Sequence, residues 1–153
     1  MKRAAIPALI ITSLALSPSA SALTLMDIFG KWNCSVQIND NTGEGQHTQF
    51  YGFGGASWRD GEMEMILDNG VVANISYKLV ATITVDGDLI TESDYKFSRA
   101  EGFINGVSSD EMAQAIKDGL VNGPPTEARI LHVDDRTLIT SADNELTSCT
   151  KVD

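Results

Sequence analysis

The chain has 153 residues, 42% of them apolar, and a formal net charge of −10. That length supports one domain with a real core and leaves no room for two. So acidic a chain is poorly suited to nucleic acid or anionic lipid, both of which attract basic patches.

The chain begins with basic Lys2 and Arg3, an apolar stretch from Ile6 to Leu16, and the small-residue tail Ser17 to Ala22. Ala20-Ser21-Ala22 reads as a cleavage site, so residues 1–22 are expected to be a secretory signal peptide. The apolar run is shorter than the ~20 residues a spanning helix needs, so no transmembrane anchor is expected in the mature chain. Residues 23–153 then form a single domain of periplasmic or secreted location. Loss of Lys2 and Arg3 takes its net charge from −10 to −12.

Strand-type alternation dominates the mature chain. Trp32 to Asn39 leads into a loop at Asp40 to Gly45, and Gln46 to Phe53 precedes Gly54-Gly55 and an expected turn at Asp60-Gly61. Met63, Met65 and Leu67 share a face, and Asn69-Gly70 is a strong hairpin turn signal. From Val71 to Val85 the odd positions are apolar, including Ile75, Tyr77 and Leu79, and the even positions mostly polar. Fully extended, that strand would run ~50 Å, so a bend or bulge is expected within it. After the Asp86-Gly87 turn, Leu89, Thr91, Ser93, Tyr95 and Phe97 are expected on one face.

A segment of helical spacing then interrupts the pattern. Ser108 with Glu111 fits a capping box, Met112, Ala115, Ile116 and Leu120 recur at helical intervals, and Gly119, Asn122-Gly123 and Pro124-Pro125 stop the helix. Arg99 to Asn122 therefore reads as an insert, a lid over one mouth or a docking surface. Ala128 to Val133, Thr137 to Ser141 and Glu145 to Val152 supply three last strands. The expected fold class is mainly β: an antiparallel meander of about eight strands forming a barrel or half-barrel, with one α-helix inserted before the last three strands.

Cys34 near the start and Cys149 near the end form an even pair in an exported domain, which predicts a disulfide. Their Cα atoms must then lie within ~7 Å, which sets the first and last strands side by side in a closed or nearly closed barrel.

The first strand opens Ile28-Phe29-Gly30-Lys31-Trp32-Asn33-Cys34. This Gly-x-Trp at the head of such a meander resembles the lipocalin, or wider calycin, superfamily of small exported barrels. The resemblance implies structural roles for Gly30 and Trp32, with the indole packed across one barrel end under a late-strand cation, either Lys151 or Arg136. It departs from that family in the position of the helix, in the short chain, and in Thr91-Glu92-Ser93-Asp94-Tyr95, a loose counterpart of the family's second motif.

Catalytic constellations are missing from the sequence. His47 and His132 have no metal-ligand spacing, no serine lies in a Gly-x-Ser-x-Gly elbow, and the Asp- and Gly-rich turns do not follow the EF-hand pattern. No enzyme activity, metal or cofactor is expected. Read consistently, the alternation lines the barrel interior with Met63, Met65, Leu67, Ile75, Tyr77, Leu79, Leu89, Tyr95 and Phe97. These residues either enclose a small apolar or amphipathic ligand or fill the interior themselves. In the first case the chain is a lipocalin-like binding protein, alone or with a protein partner. In the second it is a partner-binding module, such as a periplasmic enzyme inhibitor of lysozyme-inhibitor type or a sensor subunit, its acidity suiting a basic partner.

Overall fold

The computed structural model describes residues 22–39, 42–67 and 69–153; the expected signal peptide, save Ala22, lies outside them. A four-residue helix, α1 (Leu25–Ile28), precedes β1 (Gly30–Ile38), β2 (Gly43–Tyr51), β3 (Ala56–Ile66), β4 (Val72–Asp86) and β5 (Leu89–Ile104). A two-residue strand β6 (Val107–Ser108), helix α2 (Asp110–Val121) and strands β7 (Thr126–Val133), β8 (Thr137–Ala142) and β9 (Glu145–Lys151) complete the chain. The hydrogen-bonded order is β4-β3-β2-β1-β9-β8-β7-β5, and a further β4–β5 pairing closes the ring. Eight antiparallel strands thus form a barrel with α2 placed before the last three, as the periodicity predicted. Hairpin turns form where the sequence offers residues that accept positive φ, among them Gly70 (φ 76°) and Gly87 (φ 61°).

The disulfide joins directly opposed residues of β1 and β9, with Cα atoms 4.0 Å apart and both cysteines buried. It closes a loop across 115 positions, for which chain-entropy arguments allow up to ~4.7 kcal/mol. At this end Trp32 is fully buried, its indole N–H donates to the Ile28 carbonyl at 2.8 Å, and Ile83, Ile90, Ile130 and Leu138 pack around it. The cation above the ring is Lys151, its Nζ 5.0 Å from the centroid. Gly30 (φ 121°) lets Lys151 pass, since a Cβ there would stand 3.0 Å from Lys151 Cε.

The structure corrects several expectations from the sequence. Asp60-Gly61 is not a turn but the middle of β3. Gly61 is opposite His47, and a Cβ at that position would collide with His47 Cβ and the Gln46 carbonyl. Close approach of two strands, rather than a turn, explains this glycine. Gly61→Ala is expected to cost about 1–3 kcal/mol through overpacking, read as a lower urea midpoint; an unchanged midpoint would mean the strands part freely here.

The expected irregularity of the long strand falls on its partner. β4 runs unbroken for 15 residues, while β5 carries two extra residues against it, one beside Asp94 (φ 54°). That bulge moves the inward face of β5 by one position. Before it, Ile90 and Glu92 point inward and Leu89, Thr91 and Ser93 outward; after it, Tyr95 and Phe97 point inward. Arg99 to Ile104 is likewise no insert, because β5 continues through it along β4. The cap of α2 is Ser109, whose Oγ accepts from the Met112 N–H; Ser108 is occupied in β6, opposite Phe103. Gly119 lies within α2, whose C-cap is Asn122.

Candidate functional site

Two regions bear on function: the barrel interior and one outer face. Of the residues expected to line the interior, Ile75, Tyr77, Leu79 and Tyr95 are buried in one cluster with half-buried Met65 and Phe97. Met112, Ile116 and Leu120 of α2 pack onto the same cluster, so the helix lies over the inner side of β5. Ala113 is the buried helical alanine, whereas Ala115 is exposed. Met63 pairs with Ile75 on the inward face. The other two residues leave the set. Leu89 lies on the outer face because of the β5 bulge, and Leu67, 41% exposed, sits past the end of β3 where the chain turns.

Beside this cluster is a polar girdle that hydropathy does not predict. His47, Gln49, Arg59 and Glu92 project inward from β2, β3 and β5. Arg59 Nη2 donates to both Glu92 oxygens at 3.0 Å, and Arg59 Nε donates to Gln49 Oε1 at 3.1 Å. Gln49 Nε2 donates to Glu92 Oε1 at 3.1 Å, and the Tyr95 hydroxyl donates to Glu92 Oε2 at 3.2 Å while also meeting Thr126 Oγ1. The carboxylate thus accepts from three side chains, the pattern that makes a buried charge tolerable.

Since Gln49 Oε1 is an acceptor, His47 Nε2 donates to it at 3.2 Å, leaving Nδ1 as a buried acceptor without a partner among the described residues. Burial, and then the charge of Arg59, hold His47 neutral by lowering its pKa from 6.5 to about 3; the bond to Gln49 acts in the opposite direction. Burial and the charge of Glu92 push the Tyr95 phenol up to about 12, and Tyr51 and Tyr77 rise in the same direction, burial being the main cause. The interior is therefore partly apolar cluster and partly satisfied ionic network. A signal for it existed in the inward alternation His47, Gln49, Tyr51, but only an apolar face makes such alternation conspicuous.

On the outside, the register of β1 to β5 stacks side chains into four transverse rows. Lys31, Phe50, Trp58, Val80 and Lys96 form the first, and Asn33, Thr48, Asp60, Lys78 and Arg99 the second. Ser35, Gln46, Glu62, Ser76 and Glu101 make the third, and Gln37, Glu44, Glu64, Asn74 and Phe103 the fourth. Asp60 is neutralised within its own row by Arg99 at 3.0 Å and Lys78 at 3.4 Å. A cleft of about 630 Å³ lies over the second and third rows, and one of about 650 Å³ over the third and fourth. The two share Ser35, Gln46, Glu62, Ser76 and, from β9, Ser148, which makes them one trough.

Glu44, Glu62 and Glu64 line the second cleft, and no Lys or Arg does among the described residues. None of the three has an ion-pair partner among those residues. This second cleft, the acidic end of the trough, thus offers uncompensated negative charge on a polar floor.

No protein-family model and no curated protein matches the chain. The closed eight-stranded antiparallel barrel has the general shape of the calycin superfamily. Shape of this kind is compatible with ligand or partner binding and assigns neither.

Proposed function

We propose that this protein is an exported, non-enzymatic binding module that holds a basic protein partner against the outer face of β1 to β5. The observation that carries the reading is the second cleft, which Glu44, Glu62 and Glu64 line and which no Lys or Arg lines among the described residues. Export rests on residues 1–22, and the sequence-wide negative charge adds long-range attraction for a cationic surface. An inhibitor of a basic lysozyme-type enzyme and a sensor subunit both fit this description. A small apolar ligand inside the barrel is less well supported. The residues that would line such a site pack against α2, and the Arg59–Glu92 pair occupies the space next to them.

Calorimetric titration of residues 23–153 with a basic lysozyme and with poly-lysine tests the reading. Binding is expected at low salt and should weaken steeply toward ~0.15 M ionic strength, where the screening length falls to ~8 Å. Glu44→Gln/Glu62→Gln/Glu64→Gln should weaken it about tenfold or more. Equal affinity of wild type and triple variant would sink the acidic-face reading. Uptake of an apolar fluorescent dye that Tyr77→Trp abolishes would restore the interior-ligand reading.

A further inference from the structure

The first outer row is of a different kind from the acidic third and fourth rows. Phe29, just before β1, stacks on Phe53 with centroids 3.7 Å apart and meets Phe50 edge-on at 6.0 Å; Phe50 in turn stacks on Trp58 at 6.2 Å. Phe53 is 67% exposed, and Val80, paired with Trp58, is 48% exposed. Four aromatic rings in contact at the outside of the barrel, Phe53 exposed and Phe29, Phe50 and Trp58 half-buried, are unusual in a chain with only ten aromatic residues. Contiguous exposed apolar surface of this kind marks interaction sites. Exposed Lys31 and Lys96 stand at the two ends of the row.

We infer that the partner enters as a single segment that sets an apolar anchor on the Phe29–Phe53–Phe50–Trp58 row and a basic cluster in the Glu44–Glu62–Glu64 trough. This inference rests on the acidic-face reading and specifies its occupant. The polarity follows from charge complementarity. Lys31 and Lys96 repel basic residues from the aromatic end, the row between carries two cations, Lys78 and Arg99, against the single carboxylate of Asp60, and the glutamates attract basic residues at the far end. Trp58 and Glu62 are four residues apart on β3 and Trp58 and Glu64 six, or ~13 and ~20 Å at ~3.3 Å per residue. Anchor and basic cluster must therefore be separated by about four to six residues if the segment is extended, or about nine to thirteen if helical.

Two synthetic probes test this on residues 23–153: a flexible peptide of lysines spaced by Gly and Ser, and the same peptide carrying a Trp-Leu pair about five residues beyond its last lysine. On the wild type the Trp-Leu extension is expected to tighten binding about tenfold, a typical contribution of a buried aromatic anchor. Phe53→Ser and Trp58→Ser should each remove most of that gain and leave the affinity for the lysine-only peptide unchanged. Phe53 is largely exposed, so its variant stays informative if Trp58→Ser disturbs the fold. No gain from the extension, or a gain that survives both substitutions, overturns the inference while leaving the acidic-face reading intact. Failure of even the lysine-only peptide to bind overturns both.

Discussion

Replacing Arg59 by methionine is expected to destabilise the fold by about 3 kcal/mol, because it strands a buried carboxylate. Glu92 keeps only 9% of its side chain exposed and takes two of its hydrogen bonds from Arg59. Without the guanidinium it retains the Gln49 and Tyr95 donors and no counter-charge. Arg59 keeps 24% of its own side chain in contact with solvent, which places the loss at the lower end of the ~3–5 kcal/mol seen when a buried pair is broken. The double variant Arg59→Met/Glu92→Leu should recover much of it, since removing both charges also removes their desolvation cost. Urea unfolding of the three proteins measures both numbers. A single-variant loss under about 1 kcal/mol would mean that water screens the pair as it does at a surface.

The second large effect is a dependence of stability on pH that traces to one histidine. His47 is 7% exposed, and its pKa is about 3 in the folded protein against 6.5 as the ordinary value. The unfolded chain therefore takes up a proton that the folded chain refuses. Stability should fall as pH drops below about 6.5 and keep falling until about pH 3, with a slope approaching 1.4 kcal/mol per pH unit. Between pH 7 and pH 5 this amounts to about 2 kcal/mol. His47→Gln should lack that component, so the difference between its unfolding free energies at the two pH values should be smaller by the same amount. Arg59→Met should also reduce it in part, because the charge of Arg59 is the second cause of the shift. A His47→Gln variant with the pH dependence of the wild type would assign the effect to other groups.

These two effects arise in the part of the molecule that sequence periodicity describes least well. Alternation from Val71 to Val85 identified the inward face of β4 correctly, since burial there is apolar and hydropathy records it. The same logic failed across Leu89 to Phe97. A single extra residue at Asp94 exchanges the faces, and a bulge leaves no mark in the hydropathy pattern. Gly61 was equally misleading: Asp-Gly is turn chemistry, yet here the glycine answers to the crowding of His47 across the strand pair.

By itself the sequence determined the strand alternation, the helix before the last three strands, the cysteine pair that brings first and last strands together, and the acidity of the chain. All of these are properties of local spacing or composition, which need no knowledge of what lies opposite. Only the tertiary structure decided that Arg59 and Glu92, 33 positions apart, meet inside the barrel, and that Lys151 rather than Arg136 covers Trp32. It alone placed Glu44, Glu62 and Glu64 along one trough beside an aromatic row. Such contacts depend on the register between strands, which bulges and close-approach glycines set one residue at a time.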